Sequence, residues 1–184
     1  VSIYSLSSLS LLNSGSAGPG ISQTSPLAVA NLNADAGTVN LNDAGNEVDQ
    51  ISGRSNAGEF NFKSAFSLQI GTVDGIVGVH GLGSASVSVE SAGILSVNQN
   101  TSANNAPLSL KGDGIILAPG KTIASAAGNV TLDGLSTGSL MLNNGTVAGA
   151  NVSLANATAV VLGDLSASSG LSVLNIVNSV GQQA

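Results

Sequence analysis

The chain has 184 residues, a net charge of −6 and only 8% charged side chains, with no Cys, no Trp and 24 Gly. Four basic residues against ten acidic ones supply no positive field for a phosphate backbone, which excludes nucleic acid as a partner, and the lack of Cys excludes disulfides and Cys-ligated zinc. Leu, Ile, Val and Phe make up about 29% of the residues, enough to offset the conformational entropy of folding, and with 2% aromatic residues the core must be filled by aliphatic side chains in thin layers.

In chain order, residues 1–35 carry scattered Leu, among them Leu6, Leu9 and Leu11, and are broken by Pro19, Gly20 and Pro26. They read as an N-terminal cap or joining arm. No initiator Met or basic segment precedes the Leu-spotted start, so it does not read as a signal peptide, and the chain is a mature chain or an excised fragment. The longest apolar runs, such as 159–162, are too short to cross a bilayer, so no membrane partner is expected.

From residue 36 a single phrase recurs, two aliphatic or Phe residues flanking one small polar residue. It appears at Val39-Asn40-Leu41, Phe60-Asn61-Phe62, Val87-Ser88-Val89, Leu108-Ser109-Leu110, Val130-Thr131-Leu132, Val152-Ser153-Leu154 and Leu171-Ser172-Val173. Alternation with period two marks a strand with one buried face, and its return after 21, 27, 21, 22, 22 and 19 residues marks a repeat array. A second strand is expected eight residues on, at Leu68 and Ile70, Leu95 and Val97, and Val160 and Leu162, with Ile116 at that offset from Leu108 and a delayed pair at Leu140 and Leu142. A third, shorter element is expected at Ile51, Val77, Ile123, Val147 and Leu165. Gly and Asn mark the corners, as at Gly45-Asn46, Gly71, Asn144-Gly145 and Gly163-Asp164. The 27-residue unit carries its surplus in Gly71 to Ser84, expected to form a loop or an extended third strand that leaves the face.

These features predict an all-β parallel solenoid with coils of about 21 residues over 36–173, followed by a C-terminal tail at 174–184 that holds Ile176 and Val180. An antiparallel sandwich would share the Asn-Gly turn signal, but sandwiches seldom keep a constant phase. Eight or nine coils at one strand spacing each would make a rod about 40 Å tall. With the apolar pairs inward, the next outward column reads Asn42, Lys63, Glu90, Lys111, Asp133 and Ala155, an alternation of charge that selects the in-register stack.

Chemistry-bearing residues are sparse, and no catalytic, cofactor-binding or metal-binding residue is assigned. The single His, His80, lies in the glycine-rich insert with no orienting partner or nucleophile evident, and reads as solvated. Asp43, Glu47 and Asp49 match no calcium-loop spacing and read as a solvated corner, and the Asp-Gly pairs at Asp74, Asp113 and Asp133 read as turns. Of Arg54, Lys63, Lys111 and Lys121, only Lys63 and Lys111 share a column, so the converging groups of a β-helical polysaccharide-degrading enzyme are not apparent. Sequons start at Asn100, Asn129, Asn144, Asn151 and Asn156, in a composition that solenoid turns select for.

The phrases Leu41-Asn42-Asp43-Ala44-Gly45-Asn46, Phe60-Asn61-Phe62 leading to Leu68-Gln69-Ile70-Gly71-Thr72-Val73-Asp74-Gly75, and Gly128-Asn129-Val130-Thr131-Leu132 resemble the shaft of filamentous haemagglutinin-like exoproteins of Gram-negative bacteria, over roughly residues 35–175. The resemblance implies a right-handed parallel β-helix, secretion to the cell surface, and a role in a long adhesive or fibrous protein. The Asn-Pro-Asn-Gly motif of that family's secretion domain and an Arg-Gly-Asp cell-binding tripeptide are both absent, so no functional residue carries over. The expectation is therefore a structural, non-catalytic segment of an extracellular surface fibre or adhesin that associates end to end. A glycan-binding segment and a β-helical carbohydrate enzyme are the alternatives; host or matrix glycans are the ligands expected of the first. With three Phe and one Tyr, few rings are available to stack on sugars.

Overall fold

The computed structural model describes residues 6–13, 20–136 and 139–182. The described residues contain no helix, and hence none long and apolar enough to cross a membrane. The chain winds instead as a parallel β-solenoid with three faces per coil. On the first face, Ile21, Val39, Phe60, Val87, Leu108, Val130, Val152 and Leu171 occupy equivalent positions of successive coils, each paired in parallel with the next.

Burial follows directly from the alternation. Phe60–Ser64, Val87–Ser91 and Leu108–Gly112 each alternate buried and half-buried residues, because successive side chains of a strand point to opposite faces. Val39, Leu41, Phe60, Phe62, Val87, Val89, Leu108, Leu110, Val130, Leu132, Val152 and Leu154 form two aligned buried stacks, as expected from their phase. Room for the Phe60 ring comes from Gly53 on the third face: a Cβ there would lie 2.1 Å from the Ala34 carbonyl oxygen and 2.7 Å from a Phe60 ring carbon. Outside the same strands, Lys63, Glu90, Lys111 and Asp133 are register neighbours in the expected order, with Lys63 Nζ 3.5 Å from Glu90 Oε2.

The second face stacks Leu68, Leu95, Ile115, Met141 and Val160. Two units depart from the expectation. Ile115 and Leu117 point inward and Ile116 outward, and Met141 and Asn143 point inward while Leu140 and Leu142 point outward. The corner after Leu108 is one residue shorter than its neighbours, and that after Val130 is longer than expected by one. A slip of one residue exchanges the faces of a strand. Asn143 stays satisfied inside: its Oδ1 accepts the Gly145 N–H at 3.0 Å and its amide donates to the Asp164 carbonyl at 3.4 Å.

The third face stacks Ala34, Gly53, Val79, Thr101, Ile123, Val147 and Leu165 inward. Ile123, Val147 and Leu165 meet the expectation of a third element, whereas Ile51 stands on the second face between Leu32 and Ile70, and Gly53 takes its coil's inward place on the third. Val77 does not meet it either: it is exposed, and Val79 occupies the inward position. The surplus residues explain the exchange. Thr72–Val73 and Ile76–Val77 form an antiparallel hairpin, and Val79–Gly81 then returns to the face, so the insert is both a projection and a strand. Asp74 and Gly75, at φ of 49° and 80°, form the turn, the backbone that suits a two-residue hairpin and that Asp-Gly favours.

The parallel register extends beyond the recurring phrase at both ends. Leu6–Leu12 pairs with Ala28–Ala36, which pairs with Glu47–Ser55, and Leu9, Leu11, Ile21 and Leu27 pack on the core. Ala34 holds an inward position that Val79, Ile123 and Val147 fill in later coils, and Ala36 stands in a column of small residues with Ser55, Gly81 and Ala103, so no apolar–polar–apolar phrase of large residues is visible there. Asp164–Gln182 lies along Thr146–Leu162, which places Leu174, Ile176 and Val180 beside Ala155, Ala157 and Val160. Residues 1–5 and 14–19 of the expected arm, Pro19 among them, and 183–184 of the expected tail lie outside the described residues.

Candidate functional site

The outward column of the third face reads Asp35, Arg54, His80, Ser102, Ala124, Ala148 and Ser166, each the register neighbour of the next. It gathers one acid, one base, the only His and a hydroxyl along adjacent strands, a placement that sequence distance conceals. Arg54 donates to Asp35 Oδ2 from Nε at 3.0 Å and from Nη2 at 2.6 Å. Asp35 is 6% exposed although its strand position faces outward. The two hydrogen bonds from Arg54 give the carboxylate partners in place of the water it has lost.

The hairpin at 72–77 covers the N-terminal part of this face. Ser52 Oγ donates to the Val73 carbonyl at 3.3 Å, and Asp74 Oδ2 accepts from Ser8 Oγ at 3.4 Å and also from Ser10 Oγ. The hairpin thus spans from its own coil back to the first described strand. The chain re-enters the face through Gly78, whose φ is 71° and whose absent Cβ would lie 1.9 Å from the Asn100 carbonyl oxygen and 3.2 Å from His80 Nε2. Any other residue would drive its Cβ into the Asn100 carbonyl oxygen and crowd the imidazole.

His80 is accordingly a strand residue with two partners, not a solvated loop residue. Its Nε2 lies 2.8 Å from the Val77 carbonyl oxygen and its Nδ1 2.8 Å from Ser102 Oγ. A carbonyl oxygen only accepts, so the neutral ring carries its proton on Nε2 and its Nδ1 lone pair accepts the Ser102 hydroxyl. Directly beyond Ser102, the column turns small. Ser102, Asn104, Ala124, Ala126, Ala148 and Ser166 line a shallow groove of about 350 Å3. The sequence signal for this assembly is weak: His80 and Ser102 are 22 residues apart, one coil, but only after the hairpin is subtracted from the preceding unit.

The other candidates take structural places. Asp43 Oδ1 accepts the Gly45 N–H at 2.8 Å, while Glu47 and Asp49 are exposed on the second face. Among the described residues no group of three or more His, Asp or Glu side chains could hold a metal ion. Asp113 Oδ1 accepts from Ser136 at 3.1 Å and Ser139 at 2.7 Å, and Asp133 Oδ1 accepts the Leu135 N–H at 2.9 Å, so the Asp-Gly pairs organise turns as expected. The sequon residues serve as ladder rungs, with Asn100 accepting the Thr122 N–H, Asn151 donating to Asn129, and Asn156 donating to Asp133 while accepting from Asn175. Lys121 Nζ lies 3.2 Å from Gln99 Oε1.

Two other surfaces stand out. Leu6, Ser7, Ala28, Ala30, Glu47, Asp49 and Phe66 surround a depression of about 420 Å3, with the Phe66 ring 59% exposed at its edge. Among the described residues, Asp164–Gln182 pairs on one side only, with Thr146–Leu162. Its phrase residues Leu171 and Val173 are 53% and 38% exposed, where the equivalent Val152 and Leu154 are 0% and 1%. Leu174, Val177 and Val180 are exposed on the same strand. Comparison of the chain with protein-family models, with curated proteins and with solved structures finds no match.

Proposed function

We propose that this chain is a shaft segment of an extracellular bacterial surface fibre or adhesin, a structural element whose stack is continued end to end. The observation that carries the proposal is the exposure of Leu171 and Val173 on a strand that, among the described residues, pairs along one edge only. The other edge offers both backbone hydrogen-bonding groups and apolar side chains to a further coil, and the chain's sparse charge offers little repulsion against stacking. The likeness of its phrases to filamentous haemagglutinin-like shafts supports the same view, and with it a cell-surface location. Light scattering and negative-stain imaging at rising concentration test it. The chain is expected to form rods in multiples of one stack, and Leu171→Asp with Val173→Asp should return it to single particles. A chain that remains monomeric at high concentration, with amides 165–181 as protected from hydrogen exchange as those of the central coils, is a capped domain and overturns the proposal.

A second reading, a glycan-binding segment, has the Phe66 depression in its favour. An exposed ring beside the carboxylates of Glu47 and Asp49 suits the apolar face and hydroxyl edge of a sugar. Loss of binding to a glycan array on Phe66→Ala would separate this reading from a passive shaft.

A further inference from the structure

We propose that Ser102 and His80 form a nucleophile–base pair that acts on small acyl esters held in the groove of the third face. This goes beyond the shaft proposal and does not depend on it. The central observation is geometric. A serine hydroxyl is a weak nucleophile unless a base lies within hydrogen-bond reach and is itself held by a third group. Here Oγ lies 2.8 Å from Nδ1, and the Val77 carbonyl at 2.8 Å from Nε2 takes the orienting place. That carbonyl also selects the tautomer in which Nδ1 is the base.

The surroundings support the pair. Val77 belongs to the hairpin and Ser102 to Thr101–Ala103, so the ring is held between two elements by a hydrogen bond on each side. On its other side, His80 has Arg54 as register neighbour, but Arg54 is bound to Asp35, so an imidazolium would not face a lone cation. Below Ser102 the floor consists of Ala124 and Ala148, small enough to leave about 350 Å3 beside the hydroxyl. Asn104 lines the same groove two positions on and supplies the amide N–H for the substrate's carbonyl oxygen.

The reaction balances without a further reagent. Ser102 Oγ attacks the ester carbonyl as its proton passes to His80 Nδ1. The C–O bond to the alcohol then breaks, and the alcohol leaves with that proton. Water attacks the acyl-serine, giving its proton to Nδ1, and the acid departs as Ser102 recovers its hydrogen.

The test uses the full chain with p-nitrophenyl acetate and, separately, with a fluorophosphonate probe, followed by peptide mapping of the modified serine. Ser102 should be modified at least ten-fold faster than Ser88 and Ser109, outward serines on the first face with no His beside them. His80→Asn and His80→Phe should each lower that rate by ten-fold or more, Asn104→Ala by several-fold, and Ser102→Ala should remove both the label and the p-nitrophenol release. Circular dichroism of each variant establishes that the fold is retained, which these outward positions favour. Modification of Ser102 no faster than of Ser88 and Ser109, or a Ser102 rate unchanged in both His80 variants, overturns the proposal and leaves the pair as a structural hydrogen bond between adjacent coils.

Discussion

The coil at 152–155 and the coil at 171–174 carry the same phrase in the same register, yet one is sealed and the other open. Val152 and Leu154 lie between coils on both sides, whereas among the described residues Leu171 and Val173 have a neighbour on one side alone. Inward direction is therefore a property of the strand, and burial is a property of the stack. A residue in the middle coils loses its contact with water to two neighbours, and no choice of side chain in the last coil can replace the missing one.

The largest effect expected from this contrast is at the central position. Val130→Asp places an unpaired carboxylate in a closed layer and should cost about 4 kcal/mol or prevent folding, while Leu171→Asp on the isolated chain should cost less than about 1 kcal/mol. Urea denaturation of the two variants measures the difference. Comparable losses would mean that the last coil is covered in solution. Thr131→Asp, on the outer side of the same central strand, should be as mild as the terminal change.

A steric version of the same contrast ranks next. Gly53→Val would force a side chain against the Ala34 carbonyl and the Phe60 ring, at a cost of about 3 kcal/mol, whereas Gly181→Val has nothing within 4 Å to meet. Thermal melts should show a large downward shift for the first and almost none for the second. An unaffected Gly53→Val protein would show that the coils can separate locally to admit the side chain.

The smallest effect belongs to the outer face. Glu90→Lys would set three lysines in line at 63, 90 and 111, and should destabilise by about 1 kcal/mol at low ionic strength, with the loss largely removed by salt. Asp133→Lys, at the end of the ladder with Ala155 as its next neighbour, should cost about half as much. Equal and salt-independent losses would detach stability from the ladder.

Local alternation was enough to settle which way most side chains point. The twelve inward residues of the first face, the order of the charged ladder and the coil length of about 21 residues all follow from period-two patterning repeated at near-constant spacing. Legibility failed where a corner changed length by one residue. Ile116 and Leu142 are as apolar as the neighbours that turn inward, so composition alone could not choose between Ile115 and Ile116, or between Met141 and Leu142. Likewise Val77 and Val79 are the same residue type two positions apart, and only the closure of the hairpin on Asp74-Gly75 decides which of them returns to the core.

What the linear chain could not contain is proximity across coils. His80 and Ser102 acquire their relation, and Asp35 and Arg54 theirs, because each coil adds one strand spacing and lays residues about 20 apart side by side. The alternation that orders the core acts over two residues and is written locally. The hydrogen bond from Ser102 to His80 depends on the hairpin leaving the stack and the next strand resuming in phase, and that is decided only when the coils close on one another.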